Sequence, residues 1–368
     1  MDNLNKMLEY LENIIDVDKC SEILKEEENV LNYKPMEKIN VRVLYNACMK
    51  AYGMQEMYES IEKMMYNELV SCVPHIQSGT GIPMIRANYG VGTLPSLFGL
   101  TCKILNNNMP WVEHVTKDQV KEIISKGIPN LDTGFGRRLT LTHEFYQEKL
   151  EKYPKCRDFI KIYHLDFQGP LDVAHLIYGS DIYMDMYDEP ELVHELLELV
   201  TDTYIEIMKR TKKEINDEYG ENCFHWSHLY GGHVVVRNDS AVNISADMYK
   251  EFVQPYDEKI LEAFGGGSIH YCGKADQWVF DMLRTKNLRA MNFGYLEKFN
   301  FGNEYLKKIG ETFASHKMPI IDYVLSKKEF QEMEFDRFHD GISYCVQVDN
   351  LEDGKEILKQ SWKKSKEN

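Results

Sequence analysis

The chain has 368 residues, enough for two or three small domains or for one barrel. Its 43 basic and 59 acidic residues leave a net charge of −16, which excludes the basic footprint that nucleic acid or an anionic membrane requires. With 43% apolar residues a large core is available, and no run nears the roughly 18 apolar residues of a membrane helix.

From the N-terminus to about residue 74, Leu, Ile, Met and Tyr recur at spacings of three and four among acids and lysines. This predicts a helical extension over 1–74, broken near Pro35 and closed by Pro74. The first sixteen residues carry acids throughout and lack an apolar h-region, so no signal peptide is expected. Eight cysteines are scattered without a CxxC pair and read as free thiols, most of them buried, in a cytoplasmic protein.

Beyond residue 74 short apolar runs alternate with amphipathic segments. Strands are predicted at 82–87, 159–167, 223–229, 268–270, 288–293, 318–323 and 341–348. Helices are predicted at 170–178, 190–215, 246–264, 275–285, 302–316 and 350–364. Ser245 ahead of an acid, and Pro190 among acids, mark two helix starts. Repeated strand–helix alternation implies a parallel sheet with helical crossovers. An open doubly wound sheet would carry a G-x-G-x-x-G turn after its first strand. None is present, so 75–368 is expected to be one (β/α)8 TIM-barrel domain. The strands of 103–153, including the turn Asn106–Trp111, cannot be placed from sequence.

The sharpest local feature is Gly265-Gly-Gly-Ser-Ile-His-Tyr-Cys-Gly-Lys. On a strand, positions i and i+2 share a face, so His270 and Cys272 point together near its C-terminal end. An imidazole and a thiolate there suit one soft metal, zinc above others, unless the pair is simply a core imidazole and a buried thiol. Cys345, near the end of the last strand, is the candidate third donor or another core thiol. Arg86, Asn88, Gln168, His228, Tyr230 and Asp239 sit at or after strand ends, where a barrel binds substrate. Asp166 shares parity with Gln168 and reads as a loop cap.

Phe167–Arg210 resembles the uroporphyrinogen decarboxylase-like superfamily. So does Asp239–Lys274, which runs Asp-Ser, Ile-Ser-x-x-x-Tyr-x-x-Phe-x-x-Pro and His-x-Cys-Gly. The second stretch looks especially like the zinc methyltransferases that act with corrinoid proteins, such as methylcobamide:coenzyme M methyltransferases and O-demethylase components. The resemblance spans most of 75–360 and implies zinc on His270, Cys272 and Cys345. It also implies methyl transfer between a corrinoid and a small thiol or methoxylated substrate. No Asp-x-His-x-x-Gly motif is present, so the corrinoid is expected on a partner protein docking at the barrel mouth. The decarboxylase branch binds a polycarboxylate through several arginines. Here Arg86 stands alone in the matching stretch, which makes decarboxylation of another substrate the alternative, beside a ligand-binding barrel without catalysis.

Overall fold

A computed structural model describes residues 2–104, 108, 110–294, 302–333 and 340–366. Asn106, Asn107 and Met109 of the turn noted above therefore lie outside the described residues. The early strands are β1 (Val41–Leu44), β2 (Met84–Ile85), β3 (Cys102–Lys103), β4 (Trp111–Val112) and β5 (Lys161–Ile162). Next come β6 (Glu218–Tyr219), β7 (Asn222–His225), β8 (His228–Gly231) and β9 (Val235–Arg237). The chain ends through β10 (Gly267–Cys272), β11 (Leu288–Gly294), β12 (Ile320–Ser326) and β13 (Ile342–Gln347).

Six strands form a parallel sheet in the order β1-β13-β12-β11-β10-β9. β2 and β5 form a separate parallel pair, and a bridge from Gln168 to Arg237 ties the chain beyond β5 to β9. No ladder joins β1 to β2 among the described residues. The protein is thus α/β, with a parallel sheet and N-terminal helices.

Most crossover helices form where the apolar period predicts. Pro170–Tyr178 matches the expectation, and Ser245 caps its helix by accepting the Met248 N–H at 3.3 Å. The expected 246–264 helix breaks at Val253 into Ala246–Phe252 and Gln254–Ala263, with Pro255 in the first turn of the second.

Three expectations change. Pro74 lies inside the helix Ile61–Ser78, which ends at Gly79 in left-handed backbone (φ 64°). Val41–Leu44, inside the expected helical extension, is a sheet strand paired with β13. The run 223–229 is not a crossover strand. It is an antiparallel hairpin, β7–β8, and β9 supplies the parallel strand.

Alternation gives the sheet two different faces. Ile269, Tyr271, Met291, Phe293, Tyr344 and Val346 face the helices in the main core. Ala290 and Ile321 face the other way, where they pack with Val30 of the helix Val17–Leu31 and with Cys223 and Tyr230 of the hairpin. That inner face carries the polar residues described next. No described helix is long and apolar enough to cross a membrane.

Candidate functional site

With Ile269 and Tyr271 committed to the helix side, His270 and Cys272 turn inward from the end of β10. The turn after β9 brings Asp239 to the same place. Cys272 Sγ lies 3.3 Å from His270 Nε2, which lies 3.5 Å from Asp239 Oδ1. All three donor atoms fall within 4.8 Å of one another. Asp239 Oδ1 also accepts the Cys272 backbone N–H at 2.7 Å.

A glycine lets β11 pass close to these donors. Gly294 is the register partner of Cys272 in β11, and a Cβ there would overlap the cysteine sulfur and reach 2.7 Å from His270 Cε1. Sulfur, imidazole nitrogen and carboxylate oxygen are the donors zinc takes, and three protein ligands leave a fourth position for a substrate. The residues fit the ion.

The imidazole is also oriented for the task. Asn292, the register partner of His270, donates its amide N–H to the Ile321 carbonyl at 2.6 Å. Its amide oxygen therefore faces His270 Nδ1, at 2.5 Å. An amide oxygen only accepts, so Nδ1 carries a proton, and the neutral imidazole that a metal requires would offer its Nε2 lone pair to the site. Asn292→Ala is expected to weaken zinc binding about 10–100-fold, read by competition with a chromophoric chelator.

Charge follows the same logic. Burial opposes ionisation of Asp239, but His270, Arg237 and the Cys272 N–H outweigh it and hold the carboxyl well below the usual range. Burial, then the Asp239 charge, pushes the Cys272 thiol up to about 12, so metal binding must displace its proton. The turn carrying Asp239 is clamped from below. Asp172 accepts the backbone N–H groups of Asp239 and Ser240 at 2.8 and 2.6 Å. With its amide oriented to satisfy both neighbours, Gln168 donates to Asp172 at 2.7 Å and accepts from Arg237 Nε at 3.3 Å.

Asp166 is a hub rather than a loop cap. It pairs with Arg86, lies 3.5 Å from Arg237 Nη1 and 3.0 Å from His225 Nε2, and accepts the Trp226 indole N–H at 3.0 Å. Arg237 also reaches Asp239 Oδ2 at 3.2 Å, linking this hub to the Asp239–His270–Cys272 group. Asn88 donates to Glu68 at 3.0 Å and lines, with Arg86, Thr93, Asp166 and Arg237, a cavity of about 60 Å³. Arg86 thus has a companion from a distant strand.

Cys345 is not among the three grouped donors. It is buried on the inner face of β13 opposite its register partner Arg42, and burial pushes its thiol up to about 12. His228 is likewise not among the three grouped donors. His228 bridges Asp322 at 2.9 Å and Glu27 at 3.0 and 3.1 Å, and Arg42 grips Asp322 with contacts of 2.6, 2.7 and 3.1 Å. The Tyr230 hydroxyl is buried and has no hydrogen-bond partner among the described residues.

Burial disfavours the charged form of His228, but Glu27 and Asp322 prevail and raise it to about 9. A raised folded-state pKa stabilises below the unfolded value near 6.5 and loses that contribution as pH rises through about 9. The stability gap between wild type and Glu27→Gln is therefore expected to shrink between pH 7 and 10 in urea unfolding.

Sequence reasoning missed Arg237, although it shares strand parity with Asp239. It also missed Trp226, Asn292, Asp322 and Glu27, which only register and packing bring inward.

No protein-family model and no curated protein matches the chain by sequence. Among solved structures, a methyltransferase from Methanosarcina mazei is similar with a TM-score of 0.60 at 15% identity. The alignment covers 94% of this chain and 98% of that one. The likeness is one of fold.

Proposed function

We propose that the chain is a zinc-dependent methyltransferase of the uroporphyrinogen decarboxylase-like superfamily, moving a methyl group between a corrinoid and a small thiol or methoxylated substrate. The observation that carries this is the Asp239–His270–Cys272 group beneath Gly294. The fold shared with a methyltransferase supports it. In this reading the parallel strands close into an eight-stranded barrel, β2 and β5 filling the arc between β1 and β9. Residues 1–74 then pack on the 75–368 barrel domain and contribute β1 to it.

When bound, zinc supplies Lewis acidity, which lowers the pKa of a thiol placed at its open position. The protein's own residues do the rest. His270 and Asn292 fix the direction of the imidazole lone pair, Asp239 is held ionised, and Gly294 lets β11 pass beside the donors without a side chain in their way. For a thiol acceptor, the sulfur forms a bond to the methyl carbon and its proton passes to solvent. The methyl donor would keep the electron pair of the bond to carbon that breaks. The corrinoid would arrive on a partner protein at the open end of the strands.

The test is anaerobic incubation of the zinc-loaded protein with free methylcobalamin and a panel of small thiols. Thiol-dependent loss of the methyl–cobalt absorbance, absent in Cys272→Ala, supports the proposal. A rate equal to that without protein contradicts it.

One observation favours a second reading. Arg86 and Arg237 converge as a carboxylate-binding pair would, as in a decarboxylase of the superfamily. Both are already held by Asp166, so this reading ranks behind the first. Carbon dioxide release from a panel of small carboxylic acids, lost in Arg86→Ala and Arg237→Ala, would promote it.

A further inference from the structure

The hairpin β7–β8 lies across the inner face of the sheet, with contacts to β10, β11 and β12. Its two-residue tip, Trp226-Ser227, has φ values of 42° and 65°. Both positive angles fit a type I′ turn, which Asn-Gly adopts readily. A tryptophan in left-handed backbone is strained, so the surrounding structure must over-determine it. The stem does so. Ile82 N–H donates to the Ser227 carbonyl at 2.7 Å, and His228 is locked between Glu27 and Asp322. Cys223 and Tyr230 pack against Val235, Ala290 and Ile321.

The strained tip aims the indole at three groups. Its ring stands edge-on to His270, centroids 4.6 Å apart at 68°. The Arg237 guanidinium lies over it, 5.2 Å from the ring centroid. Its N–H is held by Asp166 at 3.0 Å. We infer that Trp226 is a positioning residue of the metal centre, supplied by the inner hairpin rather than by the parallel strands. It blocks rotation of the His270 ring on the side that Asn292 does not hold. It also gives Arg237 a flat platform, holding that cation where it pairs with Asp239 Oδ2 and leaves Oδ1 facing His270 and Cys272. This inference rests on the metal-site reading above.

The test uses the full chain, anaerobic, with Co²⁺ as the probe ion and its visible absorption as readout, in wild type, Trp226→Phe, Trp226→Ala and Trp226→Leu. Phenylalanine keeps an aromatic edge and face, whereas leucine fills volume without either. Alanine and leucine are expected to weaken Co²⁺ binding about tenfold or more and shift the spectrum, with phenylalanine within about threefold of wild type. A second readout needs no metal. Nitrogen-15 spectra of histidine-labelled protein should show His270 as the Nδ1–H tautomer in wild type and Trp226→Phe, and as a tautomer average in the alanine and leucine variants. Unchanged Co²⁺ affinity and a single tautomer in whichever of those two variants folds would overturn the inference. If wild type takes up no Co²⁺, the metal-site reading fails, and the tautomer comparison alone decides the role of Trp226.

Discussion

Asp322→Ala is expected to destabilise the protein by about 3–5 kcal/mol, read as a lowered urea midpoint. The carboxylate takes Arg42 at 2.6–3.1 Å and His228 at 2.9 Å, and burial alone would drive it neutral. Those two cations overcome burial and hold Asp322 far below the usual carboxylate range. Removing it leaves two buried positive groups facing one another across a vacated space. Alanine keeps the strained backbone as well, since position 322 has φ 60° in the irregular stretch of β12. A variant that removes Arg42 together with Asp322 should lose less than the sum of the two single losses, because the groups share one network. The cluster is a fastener. It joins the helix Val17–Leu31 through Glu27, the hairpin through His228, and two sheet strands through Arg42 and Asp322.

That cluster also shows what the sequence could and could not say. Periodicity placed β10, β11 and β13 and the helix Pro170–Tyr178 well, because each has a strong period of 2 or 3.6 and clear punctuation. It failed at 223–229, where Trp226-Ser227 lacks the Asn-Gly signature that marks a two-residue turn. It failed also at Val41–Leu44, four residues set among helices, too short for a period to register. His270 and Cys272 were legible as a pair because parity on one strand is a local property. The third partner was not. Cys345 and Asp239 both sit near strand ends, and sequence alone cannot say which lies beside His270; in the fold Asp239 does, at 3.5 Å.

Loss of Cys272, His270 or Asp239 is accordingly expected to abolish near-stoichiometric zinc binding, whereas Cys345→Ala retains it. Each of the three supplies a donor atom within 4.8 Å of the other two, so removing one leaves two ligands, too few for a tight site. Cys345 faces Arg42 instead, and its loss should appear as a packing cost of about 1 kcal/mol in unfolding, not as lost metal. Total metal per chain after anaerobic desalting checks all four variants at once.

The most direct test of the metal centre is zinc X-ray absorption on the anaerobically loaded full chain without added thiol. One sulfur scatterer at about 2.3 Å, with nitrogen and oxygen neighbours at about 2.0–2.2 Å, is the predicted shell. A second sulfur in that shell, lost in Cys345→Ala, would contradict the Asp239–His270–Cys272 assignment, and absence of bound zinc would contradict the metal-dependent mechanism altogether.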